Sequence, residues 1–229
     1  SSEIKPTKFL PLVLVFEGGC SGSTAVGRFI EEIIEAHGHK RYNNVGFEFM
    51  DSRRRWKNPF YFELQEEKAK KKNATRDELL MESIKIAKAE SQKLNQLFYF
   101  KAHLPKVKNE NREKLEKIGV AYAGVYRENV LDRCICITKD CFASASGYPV
   151  YAHNGEKGSK CFDRRKVLDD KPVLTYFENP KECFESSLQK QEQIKKQDFP
   201  SVSQESLFDF EYTEDEEAWE KSIAAWMKI

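Results

Sequence analysis

Three groups of residues in this sequence have the types and spacing to handle an anion. The first is Gly18-Gly19-Cys20-Ser21-Gly22-Ser23-Thr24, a small-residue loop carrying three hydroxyls. If a helix begins just after it, the unpaired N–H groups of the first turn face the loop and the helix dipole favours negative charge there. The plainer reading is a tight turn with Ser21 or Ser23 capping the helix. The second group is Lys101 and His103, followed by Leu104 and Pro105; His103 has the side chain best suited to proton transfer near neutral pH. The third is Arg127, a fixed cation whose fork matches phosphate geometry. Each has an ordinary structural alternative. His103 can be satisfied by backbone, and Arg127 can pair with Glu128 or Asp132.

The loop is not a Walker A sequence, because that motif needs Gly-Lys directly before the Ser/Thr and here Gly22 is followed by Ser23 and Thr24. A Rossmann fingerprint also fails, since the third-glycine spacing and the acidic residue ending a second strand are missing. A phosphate or sulfate binder of another kind remains.

These residues need elements that hold them together. Leu12–Phe16 is an apolar, β-branched-rich run and reads as a buried strand, with helical periodicity from Ala25 to Ile34. Leu97–Phe100 reads as a strand ending at the Lys101–Pro105 group, and Val120–Tyr126 as a strand delivering Arg127. Helices are predicted at 110–118, with Gly119 as C-cap, and from Glu128 to Cys141. Strands joined by helical crossovers, each ending in a polar residue, imply a mainly parallel sheet with one functional edge. The expected fold is therefore an α/β three-layer sandwich with a P-loop-like phosphate-binding strand, loop and helix.

Elsewhere, Val45–Met50 reads as a short second strand, followed by the basic cluster Arg53-Arg54-Arg55-Trp56-Lys57. Residues 59–94 read as helical, with Thr75 and Glu78 forming a capping box. His37-Gly38-His39 suggests a helix C-cap at Gly38 rather than a metal pair. Residues 144–171, rich in glycine and charge, read as a long loop or lid with room for a short hairpin. A helix at 180–197, a last strand at 207–212 and a final helix capped by Thr213 complete the pattern. One domain covering 1–229 is expected, with the 144–171 segment as a variable insertion.

Composition narrows the function. Lys plus Arg number 38 against 37 Asp plus Glu, so no global field points to nucleic acid or a membrane surface. No apolar run approaches the ~20 residues of a membrane span. The six cysteines show no CxxC or zinc spacing, and free thiols in a reducing compartment are expected rather than a disulfide framework. The expected location is cytoplasmic, with the lumen of the secretory pathway as alternative if an N-terminal anchor precedes Ser1. Asn73-Ala74-Thr75 fits a glycosylation sequon.

With these segments in order, the chain resembles sulfotransferases that use the nucleotide donor PAPS (3′-phosphoadenosine 5′-phosphosulfate). Cys20-Ser21-Gly22-Ser23-Thr24 is similar to the family's Lys/Arg-Ser-Gly-Thr/Ser-Thr loop, which binds the 5′-phosphosulfate. Lys101-Ala102-His103-Leu104-Pro105 is close to the Lys-Thr-His-Leu-Pro of cytosolic members, whose histidine is the catalytic base. Tyr126-Arg127-Glu128-Asn129-Val130-Leu131-Asp132-Arg133 is similar to the strand-end Arg and helix that bind the donor's 3′-phosphate in bacterial-type enzymes. The resemblance implies transfer of a sulfuryl group to a hydroxyl or amine of a small-molecule or saccharide acceptor, with PAP as product and no metal. Gly19, Cys20, Ser21, Gly22, Ser23, Thr24, Arg127 and Cys136 would bind the donor. His103 would be the base, Lys101 the charge stabiliser, and Glu48 the rival base used by several non-cytosolic branches.

The chain departs from the family pattern in three places. Cys20 stands where the family has its basic residue, with Arg28 or the Arg53–Arg55 cluster as substitutes. Cys136 stands where bacterial-type relatives carry a 3′-phosphate serine, and a thiol is the weaker donor. No Arg-Lys-Gly loop follows near the C-terminus, which truncation or the build of shorter microbial members would explain. Two other readings stand beside the first: a kinase-like P-loop enzyme, and a non-catalytic nucleotide-binding relative.

Overall fold

The computed structural model describes residues 9–42, 48–50, 58–71, 74–145, 166–168, 171–173, 180–208, 218, 221, 224 and 225. Its centre is strand β1, Leu12–Phe16, five consecutive buried residues. Such a run suits a strand covered on both faces. Strand β2 (Tyr99–His103) pairs with it in parallel on one side and β3 (Ala121–Tyr126) on the other, while β6 (Ser201–Ser203) extends the sheet beyond β3. The four-stranded order is β2-β1-β3-β6, all parallel.

Alternation along β1 divides the core in two. Val13 and Val15 join Phe98, Phe100, Leu80, Ile84 and Leu115 on one face. Leu12, Leu14 and Phe16 join Val26, Ile30, Ile34, Tyr99 and Val125 on the other. Helix α1 (Ser23–Ala36) covers the second face. Helices α3 (Arg76–Lys93) and α4 (Glu110–Ile118) cover the first, with α2 (Pro59–Lys71) adding Tyr61. The result is the expected α/β three-layer arrangement. Helix α5 (Val130–Ala145) follows β3, and α6 (Pro180–Lys195) packs on it.

Local signals explain several boundaries. Thr75 caps α3, accepting from the Glu78 N–H while the Glu78 carboxylate accepts from the Thr75 N–H at 2.7 Å. Gly119 closes α4 at φ 77°, as expected of a C-cap. Gly124 is required by close approach: a Cβ there would stand 2.8 Å from Ser201 Cβ and 3.0 Å from the Phe199 ring, so β6 can pair only with glycine.

The structure corrects four expectations. Glu48–Met50 is a turn and not the end of a 45–50 strand; Phe49 and Met50, adjacent in sequence, both pack into one core face, which strand alternation forbids. Residues 43–47 lie outside the described residues, as do the 51–57 basic cluster and Thr213. The helical stretch 59–94 is two helices. Among the described residues the last strand is Ser201–Ser203, and Leu207 and Phe208, expected to open a strand, are helical; residues 209–212 lie outside the described residues. The Ser206 N–H donates to Ser203 Oγ at 3.0 Å and starts the short helix α7 (Gln204–Phe208) instead.

The fourth correction concerns the cysteines. Cys20 is bonded to Cys136 and Cys134 to Cys183, each pair with Cα atoms 6.0 Å apart. The partners are 116 and 49 residues apart in sequence, so only the topology brings them together. Most of the 144–171 segment lies outside the described residues; β4 (Lys166–Leu168) and β5 (Lys171–Val173) form an antiparallel pair at its end.

Candidate functional site: a glycine-rich loop at the ends of three parallel strands

The register places the three sequence motifs together. Phe16, the last residue of β1, sits opposite His103 on β2 and Val125 on β3. The loop leaving β1, the Lys101–His103 pair and the Arg127 segment therefore emerge at the same carboxyl edge, where open α/β sheets hold their ligands.

The loop turns through Gly18 at φ 145°, Cys20 at φ 59° and Gly22 at φ 77°. Gly22 is the N-cap of α1, and no side chain caps the helix. The capping role open to Ser21 or Ser23 is thus not taken, and Ser21 is 1% exposed with no hydrogen-bond partner for its hydroxyl among the described residues. The positive φ favours glycine at Gly22, where a Cβ would also come within 2.3–2.5 Å of the Gln204 side chain and displace its far end. Tyr99 fixes the helix behind the loop by donating its hydroxyl to the Gly27 carbonyl at 2.9 Å.

A buried ion pair holds the loop from below. Glu17, directly after β1, is 3% exposed and meets Arg133 of α5, which is 2% exposed, at 3.1 Å. The same Arg133 Nε–H donates to the Gly19 carbonyl at 3.2 Å, and Glu17 accepts the Arg127 N–H at 3.2 Å. One pair therefore joins the loop, β3's exit and α5. Burial pushes the Glu17 carboxyl above its ordinary range despite the neighbouring guanidinium, and burial lowers Arg133. Sequence reasoning missed both roles. A glutamate ending an otherwise apolar buried strand was the available signal, because a buried charge requires a partner.

Lys101 and His103 belong to β2 itself, which runs three residues further than 97–100. Both fall on the α1 face by alternation with Tyr99. Lys101 is buried at 5% exposure and donates from Nζ to Thr24 Oγ1 at 3.1 Å, linking the second motif to the first. His103 is exposed and its ring lies 4.1 Å from that of Phe16. Glu48 comes from the other side: its neighbours Phe49 and Met50 pack with Phe98 and Phe100 on the α3 face.

Arg127 leaves the sheet where expected, but a carboxylate already stands there. Glu205 of α7 accepts from the Glu128 N–H at 2.8 Å, the Asn129 N–H at 3.1 Å and Arg127 Nε at 3.3 Å. Arg127 also lies 3.9 Å from Asp132, so the ion pair with Asp132 weighed from sequence is present too. Glu205 was not identifiable from sequence, being 78 residues from Arg127.

Of the remaining expected donor contacts, Gly19 offers its carbonyl to Arg133, and Ser23 opens α1, largely buried. Cys20 and Cys136, two of the three departures from the pattern of the resembled family, are joined to each other. Cys136 is thus a disulfide sulfur, not the thiol donor expected from sequence. Arg28 is exposed on α1. Among the described residues no group of three or more His, Cys, Asp or Glu side chains could hold a metal ion, and no helix is long and apolar enough to cross a membrane. No protein-family model matches the chain, and no curated protein matches it.

Proposed function

We propose that this chain is a PAPS-dependent sulfotransferase acting on a hydroxyl or amine of a small-molecule or saccharide acceptor. The single observation that carries the reading is the Lys101–Thr24 hydrogen bond. It couples two motifs that resemble the same family, 77 residues apart, at one sheet edge. Sulfuryl transfer, like phosphoryl transfer, needs in-line positioning, charge stabilisation and a base. The N–H groups at Gly22, Ser23 and Thr24 hold the 5′-phosphosulfate, as in other loops at helix N-termini. Lys101 neutralises charge on the transferring and leaving oxygens. His103, exposed beside Phe16, takes the acceptor's proton as its oxygen or nitrogen bonds to sulfur, and PAP leaves. Arg127 and the first N–H groups of α5 serve the 3′-phosphate.

One observation favours a second reading, a nucleotide-binding relative without activity. Cys20 is committed to a disulfide where the family places a cation. Titration with PAP and ATP, followed by turnover with labelled PAPS against a panel of alcohol, amine and saccharide acceptors, separates the possibilities. PAP binding with turnover supports the transferase, PAP binding alone supports the inactive relative, and preference for ATP supports a kinase-like enzyme. The two disulfides favour the oxidising lumen of the secretory pathway over the cytoplasm.

A further inference from the structure

We infer that Glu205 is an internal competitor for the anion position at the start of α5, and that it sets how strongly the chain holds a phosphate there. The inference rests on the proposed donor site. Three donors from two directions converge on this one carboxylate: the N–H groups of Glu128 and Asn129, and the Arg127 guanidinium. They are the donors that would serve a 3′-phosphate. Glu205 reaches them because β6 pairs with β3 in a register that sets Ser203 opposite Tyr126. The chain then leaves the sheet beside Arg127 and turns into α7.

The same turn covers the neighbouring loop. Gln204 packs against the Cα of Gly22, and its Oε1 is buried without a hydrogen-bond partner among the described residues. Ser21 Oγ in that loop and Arg133 Nη1 below it are also buried without one. Native cores satisfy nearly all such groups, so the two donors among them, Ser21 Oγ and Arg133 Nη1, are placed to serve an anionic ligand at this loop. The contact that must yield is a modest one. The Arg127 and Glu205 side chains keep 22% and 25% exposure, and partly exposed ion pairs are weak. A phosphomonoester carries about −1.5 to −2 charge against the carboxylate's single charge, and offers three acceptor oxygens. A dianionic phosphate therefore displaces Glu205 where a monoanion or an uncharged ribose does not, which makes the residue a determinant of donor selectivity.

The test is calorimetric titration of the full chain with PAP and with adenosine 5′-monophosphate, which lacks the 3′-phosphate. Glu205→Gln keeps an oxygen for the two N–H groups but removes the charge; Glu205→Ala opens the site fully. PAP is expected to bind Glu205→Gln roughly 10-fold more tightly than wild type, the lower end of what a hydrogen bond to a charged group is worth, and Glu205→Ala at least as tightly. Affinity for the monophosphate stays within twofold. Arg127→Ala weakens PAP in both backgrounds. Ligand-free Glu205→Ala melts lower than wild type while its PAP-induced rise in Tm is larger; a purely structural residue would lower the melting point without enlarging that rise. PAP binding equally or more weakly to Glu205→Gln than to wild type overturns the inference and leaves the donor reading intact. PAP binding to none of the proteins overturns both.

Discussion

Replacing Arg133 with methionine should destabilise this protein more than its surface salt bridges would suggest. Methionine keeps much of the side chain's length and apolar stem, so the change isolates the guanidinium. It removes the 3.1 Å contact to Glu17 and the 3.2 Å hydrogen bond to the Gly19 carbonyl, and leaves a carboxylate buried at the end of β1. Removing one member of a buried ion pair costs about 3–5 kcal/mol, because the survivor stays desolvated. At about 2–4 °C per kcal/mol for a chain of this size, the melting temperature falls by about 6–20 °C. Glu17→Leu alone should fall in the same range. The double variant Glu17→Leu/Arg133→Met should recover much of the loss, keeping a residual deficit of about 1–3 kcal/mol for the Arg127 N–H and Gly19 carbonyl that lose their partners. Urea denaturation of all four proteins gives the coupling energy by double-mutant cycle. A loss below about 1 kcal/mol for Arg133→Met, or a double variant as unstable as the two singles summed, would refute the claim that this pair underpins the loop.

The same pair has a pH signature. The folded-state pKa of Glu17 lies above its ordinary 4.5, so this group's contribution to stability is complete below pH 4.5 and declines as pH rises through the raised value. Wild-type stability should carry that falling component and the Glu17→Leu/Arg133→Met variant should not; parallel pH profiles would contradict it. Non-reducing peptide mapping should recover Cys20–Cys136 and Cys134–Cys183, and reduction should cost about 2–5 kcal/mol per bridge in a melt, since each closes a long loop. In turnover assays with labelled PAPS, His103→Ala should lower the rate by roughly 10²–10⁴ with PAP affinity nearly unchanged, while Glu48→Ala is mild. The reverse order would move the base to Glu48.

Much of the scaffold was legible because its determinants are local. The unbroken apolar run Leu12–Phe16 can be buried only on both faces, so it marks the central parallel strand. Gly119 and the Thr75–Glu78 box announce helix ends through backbone conformation and orphan N–H groups, which depend on neighbours a few residues away. The convergence of the Gly18–Thr24 loop, Lys101, His103 and Arg127 followed from the rule that parallel strands share one carboxyl edge.

What the tertiary structure alone decided depends on residues far apart in sequence. Whether Cys20 is a free thiol or half of a bridge turns on Cys136 lying on the helix after β3, 116 residues away. The Glu17 charge is tolerable because Arg133 packs beneath the loop, and the Arg127 site is occupied because β6 delivers Glu205 to it. Leu207 and Phe208 read as the start of a strand, yet they close α7, and pairing with β3 goes to the three residues Ser201–Ser203 that fit against Gly124. Hydrophobic pattern specifies which segments are buried. Which charge meets which, and which short segment wins the sheet edge, is settled by packing and electrostatics between elements, and those have no periodicity to read.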